Sequence, residues 1–226
     1  MKSSPFTNVE RNRAAPAMRA MVLQALELPG LIEWRHHGIG VLQGYLAEGH
    51  QPEVRIHVWS RRLLKPGMDV SGDAHDHRFN MTSHVLCGII VHEELLPVAS
   101  EVGDHKMLAL THARAAADNK FHGPTEPLPG DFQVLRNLMH IEAGYSYTFP
   151  ALHFHRSPLL GGPDDVAITV VEKHNQREDV RARILYPTAH PPVMAFGHDM
   201  DPRLVASVLA QAKDALRANG EDKEAP

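Results

Sequence analysis

The chain lacks the features that mark several large protein classes. It has one cysteine, Cys87, among 226 residues. No internal disulfide can form, and a cysteine-type zinc site is excluded. Cys87 sits in the apolar run 85–91, where a small buried core residue is expected rather than a reactive thiol. No stretch approaches the roughly eighteen consecutive apolar residues of a membrane-spanning helix. Residues 1–19 are polar and carry no apolar signal core. The expectation is a cytoplasmic protein without membrane association. Positive charge is not in excess either. Lys and Arg number 23 against 27 Asp and Glu, a net charge of -4, which argues against a general nucleic-acid binder. No helix-turn-helix pattern and no repeat of fixed period is visible.

What is present is histidine, 17 of them. They are scattered, so they form neither an affinity tag nor a storage tract. The length and apolar fraction suit one globular domain with a sizeable core. Residues 1–15 are expected to be a flexible or loosely docked arm. Residues 16–28 predict a helix, since Met18, Met21, Val22, Ala25 and Leu26 recur at helical spacing before Pro29-Gly30. Strand patterns follow at 38–46 and 54–59; in the second, Ile56 and Val58 alternate with Arg55, His57 and Trp59. Turns are expected at 65–67 and 71–73. Two strand-like stretches lie within 74–98, and 108–117 reads as strand or helix. Residues 119–130, rich in Pro and Gly, predict a loop and a candidate lid. Further strand patterns cover 132–140, 145–149, 153–155 and 166–172. A helix with Pro202 at its first turn spans 201–220, and 221–226 is expected to be a disordered tail. Residues 16–200 would then be a single domain. Many short strands with helices at both ends predict an all-β core, an antiparallel barrel or jelly roll with flanking N- and C-terminal helices.

The most informative pattern is His75-Asp76-His77 together with His155. Residues i and i+2 of a strand face the same side. His75 and His77 can therefore reach one metal ion from one strand, with the third ligand supplied from another strand of the sheet. His153 shares strand parity with His155 and is its rival.

These residues resemble the cupin superfamily. Its second motif runs from a glycine through Pro, Gly and His to Asn. Gly144, Pro150 and His155 reproduce the spacing; Leu152 replaces the motif glycine and Leu159 the asparagine. In the first motif, His75, His77 and Gly88 fit, while Met81 stands where the glutamate ligand would be, and neither Gly67 nor Gly72 has the expected spacing before His75. The resemblance covers residues 54–173 and implies a cupin-type jelly roll with a mononuclear metal site at His75, His77 and His155. Three neutral imidazoles without a carboxylate leave the full divalent charge and open positions on one face. Within the superfamily this ligand set is similar to that of the thiol dioxygenases, which use iron(II). The Ser-x-His-x-Tyr relay of that family is missing: Thr169-Val170-Val171-Glu172-Lys173 stands in its place. Its substrate-binding arginine is absent from 43–45. Cysteine is thus not the expected substrate.

The implied activity is that of an iron(II) oxygenase with dioxygen as co-substrate, acting on a small polar or anionic molecule that chelates the metal. Zinc, manganese or nickel suit the same donors and would imply an isomerase or hydrolase; a non-catalytic ligand-binding module is the third reading. Candidate catalytic residues are Tyr147, for a hydrogen bond to substrate, and Arg55 and His57, a cation and a base if their strand face points inward. Met81 is expected to wall the pocket, Arg156 to point away into an ion pair, and Glu172 and Lys173 to form a solvated strand end. Homodimerisation is expected by analogy alone.

Overall fold

In the computed structural model, the structure describes residues 7–37, 39–47, 52–64, 74–110, 125–162, 164–190, 192 and 200–221. Among them, strands β1 (Asn8–Arg11), β2 (Trp34–His37), β3 (Ile39–Ala47) and β4 (Glu53–Leu64) precede β5 (Ala74–His75), β6 (Asn80–Cys87) and β7 (Ile89–Ala99). Strands β8 (His105–Leu110), β9 (Thr125–Glu142), β10 (Tyr145–Phe149), β11 (Phe154–Arg156), β12 (Val166–His174) and β13 (Arg183–Pro187) follow. Helix α1 (Ala15–Glu27) lies between β1 and β2, and α2 (Pro202–Glu221) comes last. The expected all-β jelly roll with a helix near each end is therefore present.

One sheet has seven strands in the order β1-β10-β6-β12-β4-β3-β2; the other strands close as β11-β5-β13-β8-β9-β7. Every pairing is antiparallel. The period-two pattern of β4 and β12 explains the layering. Ile56, Val58, Ile168 and Val170 pack with Val22 and Leu26 of α1 and Val208, Ala212 and Leu216 of α2. Their neighbours on the other face, Trp59, Ala167 and Val171, join Met81, Tyr147 and Phe149 in a second core cluster. The seven-stranded sheet is thus covered on both sides. Cys87 lies in the first cluster at 2% exposure, as expected of a core residue.

Two hinge positions match the motif spacing. Gly88 joins β6 to β7 at φ 72, and a Cβ there would stand 2.6 Å from the Val166 carbonyl oxygen; only glycine fits. Leu152, in the motif glycine's place, takes φ 66, an uncommon conformation for a residue with a side chain. Its amide donates to the His77 carbonyl oxygen at 2.8 Å, which ties the turn before β11 to the histidine it must face.

Several expectations are corrected. Residues 8–11 of the expected arm pair with β10 in register, Asn8 opposite Thr148. Residues 125–130 are the start of β9 rather than loop; 119–124 lie outside the described residues, as do 65–67, 71–73 and 222–226. The 108–117 ambiguity resolves to strand through Leu110, the remainder being outside the described residues. Strand β13 has no counterpart in the sequence reading, although it bonds to both β5 and β8 and completes the closed sheet.

Candidate metal centre

Strand β11 pairs with β5 so that His155 stands directly opposite His75. His77 lies two residues beyond His75 but outside the strand, which ends at His75; the expectation that one strand would carry both is half right. The chain nevertheless brings the three rings together. Ring centroids are 4.9 Å apart for His75–His77, 4.9 Å for His75–His155 and 5.0 Å for His77–His155. One donor atom from each lies within 4.8 Å of the others. His153 does not belong to the cluster; it lines a different hollow with Leu95, Leu135 and Phe154.

The rings are held by what surrounds them. Phe79 stacks on His77 at 4.7 Å and 17°. Phe149 lies 4.4 Å from His155, and the buried His92 ring stacks on His155 at 5.4 Å. Asp76, between the two histidines, points the other way and is 1% exposed. It accepts from Arg183 Nε at 2.7 Å and from the Arg183 amide at 2.6 Å. Burial pushes the Asp76 carboxyl up, against the pull of Arg183.

The donor chemistry fits a metal cation. Burial, and then the charge of neighbouring His75, hold His77 and His155 well below the usual imidazole range. The neutral ring is the ligating form. A protonated triad would repel itself, whereas three lone pairs converging on one point favour a cation between them.

The triad opens into a cavity of about 80 Å³ between the two sheets. Its opposite wall comes from the seven-stranded sheet: His37, Gln43, Arg55, His57, Trp59, Met81, Tyr147 and Lys173. The inward face of β4 is therefore the one that carries Arg55, His57 and Trp59. Met81 walls the cavity, as expected. No Asp or Glu is among the lining residues that the structure describes. Lys173 is a correction: it is no solvated strand end but lines the cavity with its side chain 11% exposed. Its partner in that expectation, Glu172, is also engaged, lying 3.5 Å from His84 and 3.3 Å from His174. Arg156 behaves as expected, bonding Glu93 away from the triad. Thr169, at the relay serine's place, accepts from the Trp59 indole at 3.2 Å.

Burial sets the protonation of the remaining groups. His57 is held at about 3 by burial first and by Arg55 second. His37 is likewise at about 3, through burial and then His75. Tyr147 is pushed up to about 12 by burial, so its hydroxyl keeps its proton. Sequence reasoning missed His37, Gln43, Lys173, Asp76 and Arg183. The His36-His37 pair before a strand was a usable signal for the first; nothing local pointed to Arg183.

No protein-family model and no curated protein matches the sequence. Solved structures that resemble the chain include hydroxypropylphosphonic acid epoxidase from S. wedmorenis, at 11% identity and a TM-score of 0.37. That likeness covers 64% of this chain and 56% of the epoxidase, so this chain spans little more than half of its length. An RmlC-like cupin from Shewanella frigidimarina is 17% identical with a TM-score of 0.33, over 66% of this chain and 89% of that one. The DMSP lyase DddQ from Ruegeria pomeroyi is 13% identical with a TM-score of 0.38, over 85% of this chain and 76% of that one. Among the described residues no helix is long and apolar enough to cross a membrane.

Proposed function

We propose that His75, His77 and His155 hold a single iron(II) ion and that the protein is a dioxygenase-like enzyme acting on a small polar or anionic substrate that chelates the metal. The observation that carries this reading is the gathering of three imidazoles on one face of a cavity with no carboxylate among its described lining residues. Three neutral donors leave the metal's divalent charge undiminished and several coordination positions open. Bound there, iron(II) supplies one-electron chemistry with dioxygen. The protein's residues bind, orient and exclude water. Trp59, Met81, Phe79 and Val171 give the cavity apolar walls, which strengthens every polar contact inside it. Tyr147 donates a hydrogen bond from a hydroxyl that stays protonated. His57 Nε2, buried and without a partner, offers a hydrogen bond to substrate. Arg55 supplies positive charge.

The test is elemental analysis of the purified protein beside His75→Ala and His155→Ala, followed by oxygen uptake with small acids and thiols. Stoichiometric iron, lost in both variants, with substrate-dependent oxygen uptake is the expected result. Zinc, manganese or nickel lost in both variants would keep the site and overturn the oxygenase, moving the reaction to isomerisation or hydrolysis. No metal after reconstitution would overturn the site itself and leave a ligand-binding module.

A further inference from the structure

Resting on the reading of this cavity as a metal-bearing substrate site, we infer that Arg55 and Lys173 form a carboxylate-binding subsite opposite the histidine triad, and that the substrate is a small monocarboxylic acid. The formal charge on the described cavity wall comes from these two cations. Both also reach Glu53, which does not line the cavity. Lys173 Nζ donates to Glu53 Oε2 at 3.1 Å, and Arg55 bonds Oε1 through Nε and Nη2. Burial opposes ionisation of Glu53, yet the two cations outweigh it and hold its carboxyl below the usual range. The trio therefore carries one net positive charge. In the metal-free cavity a monoanion neutralises it, whereas a phosphate dianion would leave an excess negative charge in a desolvated site, which is costly; a bound divalent ion would add its own positive charge.

The cations are also pre-positioned. The Arg55 guanidinium lies over the Tyr45 ring at 4.4 Å, and the Lys173 ammonium over Phe79 at 4.4 Å. Such contacts hold a cation without neutralising it. Side-chain exposure is 18% for Arg55 and 11% for Lys173, so neither is a freely solvated surface charge. Two further polar atoms in the wall, His37 Nδ1 and His57 Nε2, are buried with no hydrogen-bond partner. Unpartnered buried polar atoms carry a desolvation cost, and a bound ligand relieves it. They offer hydrogen bonds to a hydroxyl or carbonyl substituent of the acid. The cavity's small volume limits the acid to a few heavy atoms.

Calorimetric titration of the metal-free and the zinc-loaded protein with propionate and 3-hydroxypropionate tests the inference. Propionamide and inorganic phosphate are the controls. Both carboxylates are expected to bind the metal-free form more tightly than either control, and the zinc-loaded form more tightly than propionamide. Arg55→Met and Lys173→Met are expected to weaken them roughly tenfold each while leaving zinc content unchanged. Glu53→Gln removes the shared counter-charge, so in the metal-free form it is expected to tighten carboxylate binding and to admit phosphate. Structural damage would not produce such a gain. Equal affinity for propionate and propionamide, preference of the metal-free wild type for phosphate, or no gain in Glu53→Gln would overturn the subsite. Arg55-dependent carboxylate binding by a protein that takes up no zinc or iron would uphold the subsite while the metal reading fails.

Discussion

Asp76 and Arg183 hold each other by both backbone and side chain. The Asp76 amide donates to the Arg183 carbonyl oxygen at 3.0 Å, the Arg183 amide returns a bond to Asp76 Oδ1 at 2.6 Å, and the guanidinium bonds Oδ2. Arg183 Nη2 also reaches the Leu152 carbonyl oxygen at 3.2 Å. A residue flanked by two cavity histidines is thereby joined to β13 and to the turn that leads into β11.

The Asp76 side chain is fully buried while that of Arg183 is 31% exposed, so removing Arg183 strands a buried carboxyl, at a cost of roughly 3–5 kcal/mol. Arg183→Met is expected to lose about that much in urea unfolding; Asp76→Ala, which leaves a part-exposed guanidinium behind, is expected to lose less. Asp76→Ala is also expected to bind zinc or iron roughly tenfold to a hundredfold more weakly, because the histidines lose their orientation. Arg183→Met should weaken metal binding similarly, and the double variant should lose less stability than the sum. Undiminished metal affinity in a folded Asp76→Ala would show that the clamp serves stability alone.

Metal binding should register in stability as well as in composition. A metal at about a hundredfold excess over its dissociation constant stabilises the folded state by roughly 2.7 kcal/mol. Thermal unfolding of the wild type should shift upward on loading and return with a chelator. His155→Ala should show no shift. A shift of equal size in that variant would place the ion elsewhere.

Acid should destabilise the metal-free protein through His37 and His57. Both are held at about 3 in the fold, against about 6.5 when unfolded. Below about pH 6.5 the unfolded chain binds protons that the folded one refuses. Stability is therefore fully present above that pH, falls as pH falls, and levels off near 3. The slope approaches roughly 1.4 kcal/mol per pH unit for each histidine. His57→Gln should flatten the pH dependence of the urea midpoint between pH 6 and 4 relative to wild type. An unchanged slope would mean that His57 takes up a proton without unfolding.

Trp59 and Thr169 form a buried pair across β4 and β12. Thr169→Val keeps the shape and strands the indole N–H, at a cost of roughly 1–3 kcal/mol. Combining it with Trp59→Phe should recover part of that loss, apart from the space the smaller ring leaves. Denaturant unfolding of the single and double variants reads this directly; strict additivity would mean that the bond contributes nothing.

Leu152 takes a left-handed conformation that disfavours a side chain by roughly 1–2 kcal/mol. Leu152→Gly is expected to be tolerated or to raise the melting temperature, since the half-buried side chain offers only part of a leucine's packing in return. A large drop would show that the side chain, rather than the turn, holds β11 in place.

The sequence was readable where the signal is local. His75, His77 and His155 stood out by spacing, and the two helices by period and by proline and glycine at their ends. β4 and β12 stood out by alternation. Strand β13 escaped because it is short and contributes only two fully buried apolar side chains, Ile184 and Leu185. The N-terminal strand escaped because Asn8–Arg11 is exposed along its length and is held by pairing with β10 rather than by burial.

By itself, then, the sequence determined that the chain is mostly β, that three histidines can converge, and that Arg55, His57 and Trp59 share one strand face. Alternation of period two identifies faces but does not say which one looks inward when both are covered. Only the tertiary structure decided that this face turns toward the triad; it gathers His155, which the motif spacing already favoured, and leaves His153 outside the cluster. It also placed Lys173 and His37 in the wall of the same cavity, with Glu53 outside the wall and bonded to Lys173. Those placements depend on register between strands distant in sequence. Register is set by how the whole sheet buries its two faces, and not by the residues on either side of any one position.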